Sequence, residues 1–104
     1  MIKITMTKSL GKICEFTING HANFAKRGEN IVCAGVSAIA QTAVLGLAKI
    51  AKAKIDTRKM DGSLLVNVDN PNEYTEIILG TMMLGLNDIA KQYPKSIKVI
   101  EEEK

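Results

Sequence analysis

The sequence predicts an α+β fold: a two-layer sandwich of order ββαββα(β), with a mainly antiparallel sheet and two helices. Three observations carry this expectation. Ile2–Thr7 with Ile13–Asn19, and Ile55–Met60 with Ser63–Val68, are two pairs of short segments each joined by a tight turn, the pattern of antiparallel hairpins. A long apolar stretch of helical character follows each pair. The chain has 104 residues, 46% apolar and 24% charged, enough for one core and too few for two ordinary ones. Residues 1–104 are therefore read as a single domain.

The elements follow in order. In the first strand Ile2, Ile4 and Met6 alternate with Lys3, Thr5 and Thr7. Ser9-Leu10-Gly11-Lys12 turns the chain. The second strand places Cys14, Phe16 and Ile18 on the expected core face and Glu15, Thr17 and Asn19 toward water. Gly20 to Asn30 has neither period and reads as a long loop, of the kind that often carries function. Asn30 is a good N-cap for a helix running to about Ala53, with Val32, Val36, Ile39, Ala43 and Leu47 as its apolar stripe. Lys49, Lys52 and Lys54 crowd its C-terminal end, where cations suit the helix dipole. Asp61-Gly62 signals a type I′ hairpin. Asn70, Pro71 and Glu73 read as N-cap, first helical residue and capping-box partner of the second helix. That helix carries Tyr74, Ile77, Ile78, Thr81, Met82, Gly85 and Ile89 along its apolar side and stops at Pro94. Ile97 and Val99 mark a last short strand, and Glu101–Glu103 reads as a solvated acidic tail.

Composition excludes several classes. Disorder and collagen are out at this apolar content, and two prolines with eight glycines leave no low-complexity linker. Aromatics are 4% with no Trp, so stacking platforms for single-stranded nucleic acid are scarce. The net charge of +3 fits an anionic partner without requiring one. Ile31–Ala48 lacks charge over a length that reaches the threshold for a membrane span. Ser37, Gln41, Thr42, Gly35 and Gly46 and the absence of an aromatic belt favour a buried helix instead. A helix apolar on more than one face also suits a homodimer. The alternating N-terminus does not resemble a signal peptide, and two cysteines are few for a secreted scaffold. A cytoplasmic protein with reduced thiols is expected.

Cys33 is the most informative residue. Placed in the first turn of a helix that starts at Asn30, it would have unpaired N–H groups and the positive end of the dipole to stabilise a thiolate. A small buried hydrophobe is the equal alternative. Cys14 reads as core filling. His21 is the only histidine and so the only imidazole base available. Taken alone, a single loop histidine is more often exposed and without consequence, but this one lies at one end of the Gly20–Asn30 loop and Cys33 follows the other end, so a closed loop would bring the two together. Ser37 sits one turn beyond Cys33, either orienting the sulfur and substrate or bonding back to its own helix. None of Asp56, Asp61, Asp69 and Asp88 is placed by sequence as a third member. One His and two separated Cys give no zinc set, and no cofactor is expected.

Gly20-His21-Ala22, then Gly28, then Asn30-Ile31-Val32-Cys33-Ala34-Gly35-Val36-Ser37-Ala38 resemble the ribosomal-processing cysteine protease family called Prp. The resemblance extends to the length, the ββα opening, the second helix and the Gln92-Tyr93-Pro94 ending. The family usually has Asp where Asn30 stands, so no role for that carboxylate carries over. The resemblance implies a cysteine endopeptidase with Cys33 as nucleophile and His21 as base, and helix-start N–H groups as candidate oxyanion donors. Gly20, Gly28, Asn30 and Ser37 would be supporting or substrate-binding residues. It also implies a homodimer whose His-to-Cys loop orders around substrate. The substrate implied is a large-subunit ribosomal protein, the twenty-seventh, which loses its N-terminal extension after a pair of aromatic residues. Neither membrane nor direct nucleic-acid contact is required. Two other classes stand beside it: a non-catalytic ribosome- or RNA-associated α+β module, and a thiol sensor using Cys33, which lacks a nearby resolving cysteine.

Overall fold

The computed structural model describes residues 1–20 and 27–104, and of residues 27–30 the backbone alone. The described elements are β1 (Ile2–Ser9), β2 (Lys12–Asn19), α1 (Arg27–Lys49), β3 (Lys54–Met60), β4 (Ser63–Asp69), α2 (Glu73–Gln92) and β5 (Ile97–Glu103). The strands form one sheet of order β3-β4-β2-β1-β5. Every pairing is antiparallel except that of β1 with β5. Both helices lie on one face, so the expected two-layer α+β sandwich is the architecture found. Phe16, Ile4, Met6 and Ile18 from the sheet and Leu47, Val36, Leu79 and Leu86 from the helices fill the layer between.

The two hairpins divide the turn chemistry differently from the expectation. Leu10 and Gly11 both have positive φ, 53° and 79°, as a type I′ turn requires, although the Asn/Asp-Gly signature is absent there. In the second hairpin only Gly62 is positive, at 74°, so Asp61-Gly62 has the φ signs of a type II turn.

A bulge changes the face of β2. Thr7 pairs with Glu15 but Lys8 pairs with Ile13, leaving Cys14 as the extra residue. Ile13 is thereby buried in the core, while Cys14 is half-buried and directs its Sγ to the Thr7 carbonyl at 3.5 Å. Cys14 is therefore not the core filler that strict alternation predicts. The N–H of Ile13 donates to Glu76 Oε2 on α2 at 2.8 Å, tying the start of β2 to the helix layer.

Helix boundaries also shift. α1 begins at Arg27, so the loop is shorter than expected, Gly28 and Asn30 fall inside the first turn, and Asn30 is not the N-cap. The helix ends at Lys49, short of Ala53, because Lys52 turns into the left-handed region before β3 begins. The N-cap of α2 is Asn72, two residues beyond Asn70. The Asn72 side chain accepts from Tyr74 and Thr75, and the Thr75 hydroxyl accepts from the Asn72 N–H, closing the capping box. Asn70 itself has φ 54°, outside the range of a capping residue that feeds directly into Pro71. Glu101–Glu103 is not a free tail. It pairs with Met6–Lys8 as the outer half of β5, its exposed charges blunting a sheet edge.

The helices run antiparallel and pack isoleucine against glycine. Gly35 receives Ile89, Gly46 receives Ile78 and Gly85 receives Ile39, and a Cβ on Gly85 would come within 3.3 Å of Ile39 Cδ1. This contact takes Ile39 off the sheet-facing stripe, where Ala40 replaces it beside Val32, Val36, Ala43 and Leu47. On α2 the buried residues are Thr75, Leu79, Met82, Met83 and Leu86. The expected stripe through Ile77, Ile78, Thr81 and Gly85 faces α1 and the outside instead.

Candidate active site

Gly20, the last residue described before residue 21, is fixed by its backbone. Its φ is +95°, and a Cβ there would collide with the Met1 carbonyl. Only glycine meets both conditions without strain. Its N–H donates to the Gly62 carbonyl at 2.9 Å, which extends the pairing of Asn19 with Ser63 and clasps the end of β2 to the β3–β4 turn.

That turn forms the end of an open groove. One wall is α1, through Ser37, Gln41, Val44 and Leu45. The opposite side is the second hairpin, through Thr57 and Lys59 of β3 and Leu64 of β4, closed by Asp61 and Gly62. The cavity measures about 620 Å³. It exists because α1 does not cover the sheet's edge: every residue of β3 except Ile55 is exposed. Cys33 lies one turn before Ser37 on the same side of α1, half-buried against the rim of the core.

Both cysteines are free thiols. Cys33 is the seventh residue of α1, because the helix starts at Arg27. It is thus about 9 Å along the axis from the first residue and beyond the N–H groups left unpaired at a helix start. The helix dipole expected from a start at Asn30 does not reach Cys33, since that field falls off within the first turn. The same offset removes the helix-start N–H groups as oxyanion donors to a carbonyl at Cys33.

His21 lies outside the described residues, as does the part of the expected substrate-ordered loop from residue 21 to 26; Gly28 and Asn30 are described by backbone alone. Among the predicted site residues, the structure brings Ser37 to the groove, leaves Cys33 one turn away, and ties Gly20 by its N–H to Gly62, which lines the groove. The groove wall made by the second hairpin was not anticipated from sequence. Its signal is long-range, the pairing of β4 with β2, which no local pattern encodes. Of the four scattered aspartates only Asp61 lines the groove. Asp56 meets Arg58 at 3.7 Å, and Asp88 accepts from Gln92. Among the described residues no cluster of three or more His, Cys, Asp or Glu is arranged to hold a metal ion.

The family profile described as Cysteine protease Prp matches residues 1–98. The chain is 29% identical over 103 residues to the ribosomal processing cysteine protease Prp of Staphylococcus aureus strain Mu50, covering 95% of this chain and 97% of that one. Two solved structures of the S. aureus protease align over 97% of this chain and 99% of theirs. One, in complex with a substrate peptide, has a TM-score of 0.91 at 27% identity. The other, with a covalently linked product peptide, has a TM-score of 0.87 at 28% identity. By the match along nearly its whole length, the chain belongs to the Prp family of ribosomal processing cysteine proteases.

Proposed function

We propose that this protein removes the N-terminal extension of a large-subunit ribosomal protein, the twenty-seventh, by cutting after a pair of aromatic residues. The observation that carries the reading is Cys33 on α1 one helical turn before Ser37, which lines an open groove between α1 and the second hairpin. A groove of this volume holds several residues of extended peptide. The S. aureus relatives bound to substrate and to a covalently linked product supply the chemical precedent.

In this mechanism His21 takes the Cys33 proton as sulfur attacks the scissile carbonyl carbon. The tetrahedral intermediate collapses as His21 returns the proton to the leaving amine. The mature N-terminus departs, leaving a thioester on Cys33. Water, deprotonated by His21, then attacks the thioester and releases the extension as a free carboxylate. Ser37 stands where it can bind the substrate backbone entering the groove. The enzyme acts as a cytoplasmic homodimer and needs no cofactor. The test is to incubate the purified protein with the extended ribosomal precursor and follow its mass. Loss of the extension at one bond after an aromatic pair is expected; an intact precursor favours a non-catalytic ribosome-associated module.

A further inference from the structure

β3 is one edge of the sheet, and among the described residues no strand pairs with its outer side. The hairpin decides which of its backbone groups face outward. Met60 and Ser63 flank the two-residue turn and lie opposite each other, so they exchange both N–H···O bonds. Antiparallel pairs alternate, so Arg58 and Asp56 also bond inward, to Leu65 and Asn67. The neighbouring residues of β4, Leu64 and Val66, turn to β2 instead, in step with the bond from the Gly20 N–H to the Gly62 carbonyl. Ile55, Thr57 and Lys59 therefore hold their N–H and C=O groups out from the sheet. Thr57 and Lys59 also line the groove beside α1.

We propose that the extension of the substrate pairs with β3 as an added strand, and that the enzyme thereby selects a segment alternating apolar and polar side chains. This pairing rests on the protease reading. An open edge offers main-chain hydrogen bonds to an extended chain, and pockets beside it read alternate side chains. Along β3 the groove lies on the helix side. Side chains of an added strand that turn that way enter it over Ala40, Val44, Leu45 and Leu64. This floor is apolar, so it favours apolar residues at every second position. The side chains between them turn to the other face of the sheet, which β3 lines with the exposed Asp56 and Arg58. Polar residues suit that side.

The lengths agree. Ser37 to Leu45 spans about 12 Å of α1 and Ile55 to Lys59 about 13 Å of β3, so about four residues of extended peptide meet both walls. The extension is the part that needs holding, because the thioester keeps it on Cys33 after the mature chain departs.

The experiment measures, by fluorescence anisotropy, the binding to folded Cys33→Ala of a peptide that spans the extension and the first residues after the cut. Each residue before the aromatic pair carries an N-methyl group in turn. In an added strand alternate N–H groups point at the edge and the others at solvent. Methylation should weaken binding about three- to tenfold, the scale of one lost hydrogen bond, at every second position and leave the positions between unchanged. A scan replacing each of the same residues by Asp should show losses with the same period, where the side chain enters the groove. On the enzyme, Lys59→Pro removes one outward N–H and keeps the bonds between β3 and β4, since an edge strand tolerates proline where its N–H faces out. Its KM for cleavage of the peptide should exceed that of Lys59→Ala by about three- to tenfold. Circular dichroism checks the fold; should Lys59→Pro not fold, the methyl scan on unaltered β3 decides alone. Methylation losses without a period of two, or equal KM for folded Lys59→Pro and Lys59→Ala, overturn the added strand. An Asp scan without that period overturns the side-chain selection. Periodic binding to Cys33→Ala with no cleavage by wild type overturns the protease reading and leaves the pairing standing. An unmethylated peptide neither bound nor cut overturns both.

Discussion

Gly20 gives its backbone N–H to the carbonyl of Gly62 at 2.9 Å, across the end of the sheet from one hairpin to the other. This bond joins the strand that delivers residue 21 to the turn that closes the groove below Ser37. This contact holds the end of the first hairpin and the turn of the second in register. The glycine is needed twice, for its φ of +95° and for its closeness to the Met1 carbonyl.

Gly20→Ala is accordingly expected to destabilise the protein by about 1–3 kcal/mol, the cost of forcing a side chain into a disfavoured backbone region. Urea denaturation measures it. An unchanged midpoint would mean that the backbone at this point relaxes freely.

Glu76 is expected to act as a staple. Glu76→Ala leaves the Ile13 N–H without its present acceptor and should cost about 1–3 kcal/mol. Glu76→Gln retains an acceptor oxygen and should cost less. Equal losses for the two variants would show that the hydrogen bond is not what stabilises the bulge.

The hairpins, the helices and the family resemblance carried by the Gly-His and Ile-Val-Cys segments were legible because each rests on a local pattern. What escaped was set by contacts distant in sequence. Strict alternation put Cys14 in the core, but the bulge gives that place to Ile13. Helical periodicity on α2 offers two apolar stripes. The one richer in isoleucine is the stronger local signal, yet the sheet receives Leu79, Met82, Met83 and Leu86 because glycines on each helix accept isoleucines from the other. Asn30 looked like a cap, and Asn-Pro-Asn offered two capping asparagines of which the second is used. The groove wall from β3 and β4 depends on strand order, which no segment carries alone.

The glycines of α2 separate two effects. A Cβ on Gly80 would meet nothing within 4 Å, so Gly80→Ala should stabilise the protein by about 0.5–1 kcal/mol through helix propensity. Gly85→Ala gains the same propensity but presses on Ile39, so its thermal midpoint should fall below that of Gly80→Ala. The reverse order would show that the helices separate easily.

His21→Ala is expected to slow precursor cleavage by ~10²–10⁴, the range for loss of a general base. Part of the loss should return at high pH, where hydroxide can take the thiol proton in place of the imidazole. A pH-independent deficit would assign His21 a role other than taking the thiol proton.

The most direct test is the rate at which folded Cys33→Ala removes the extension from the ribosomal precursor, followed by mass spectrometry beside wild type and Cys14→Ala. No cleavage by Cys33→Ala, with turnover retained by Cys14→Ala, is the predicted result. Cleavage by Cys33→Ala at the wild-type rate would contradict the assignment of Cys33 as the nucleophile.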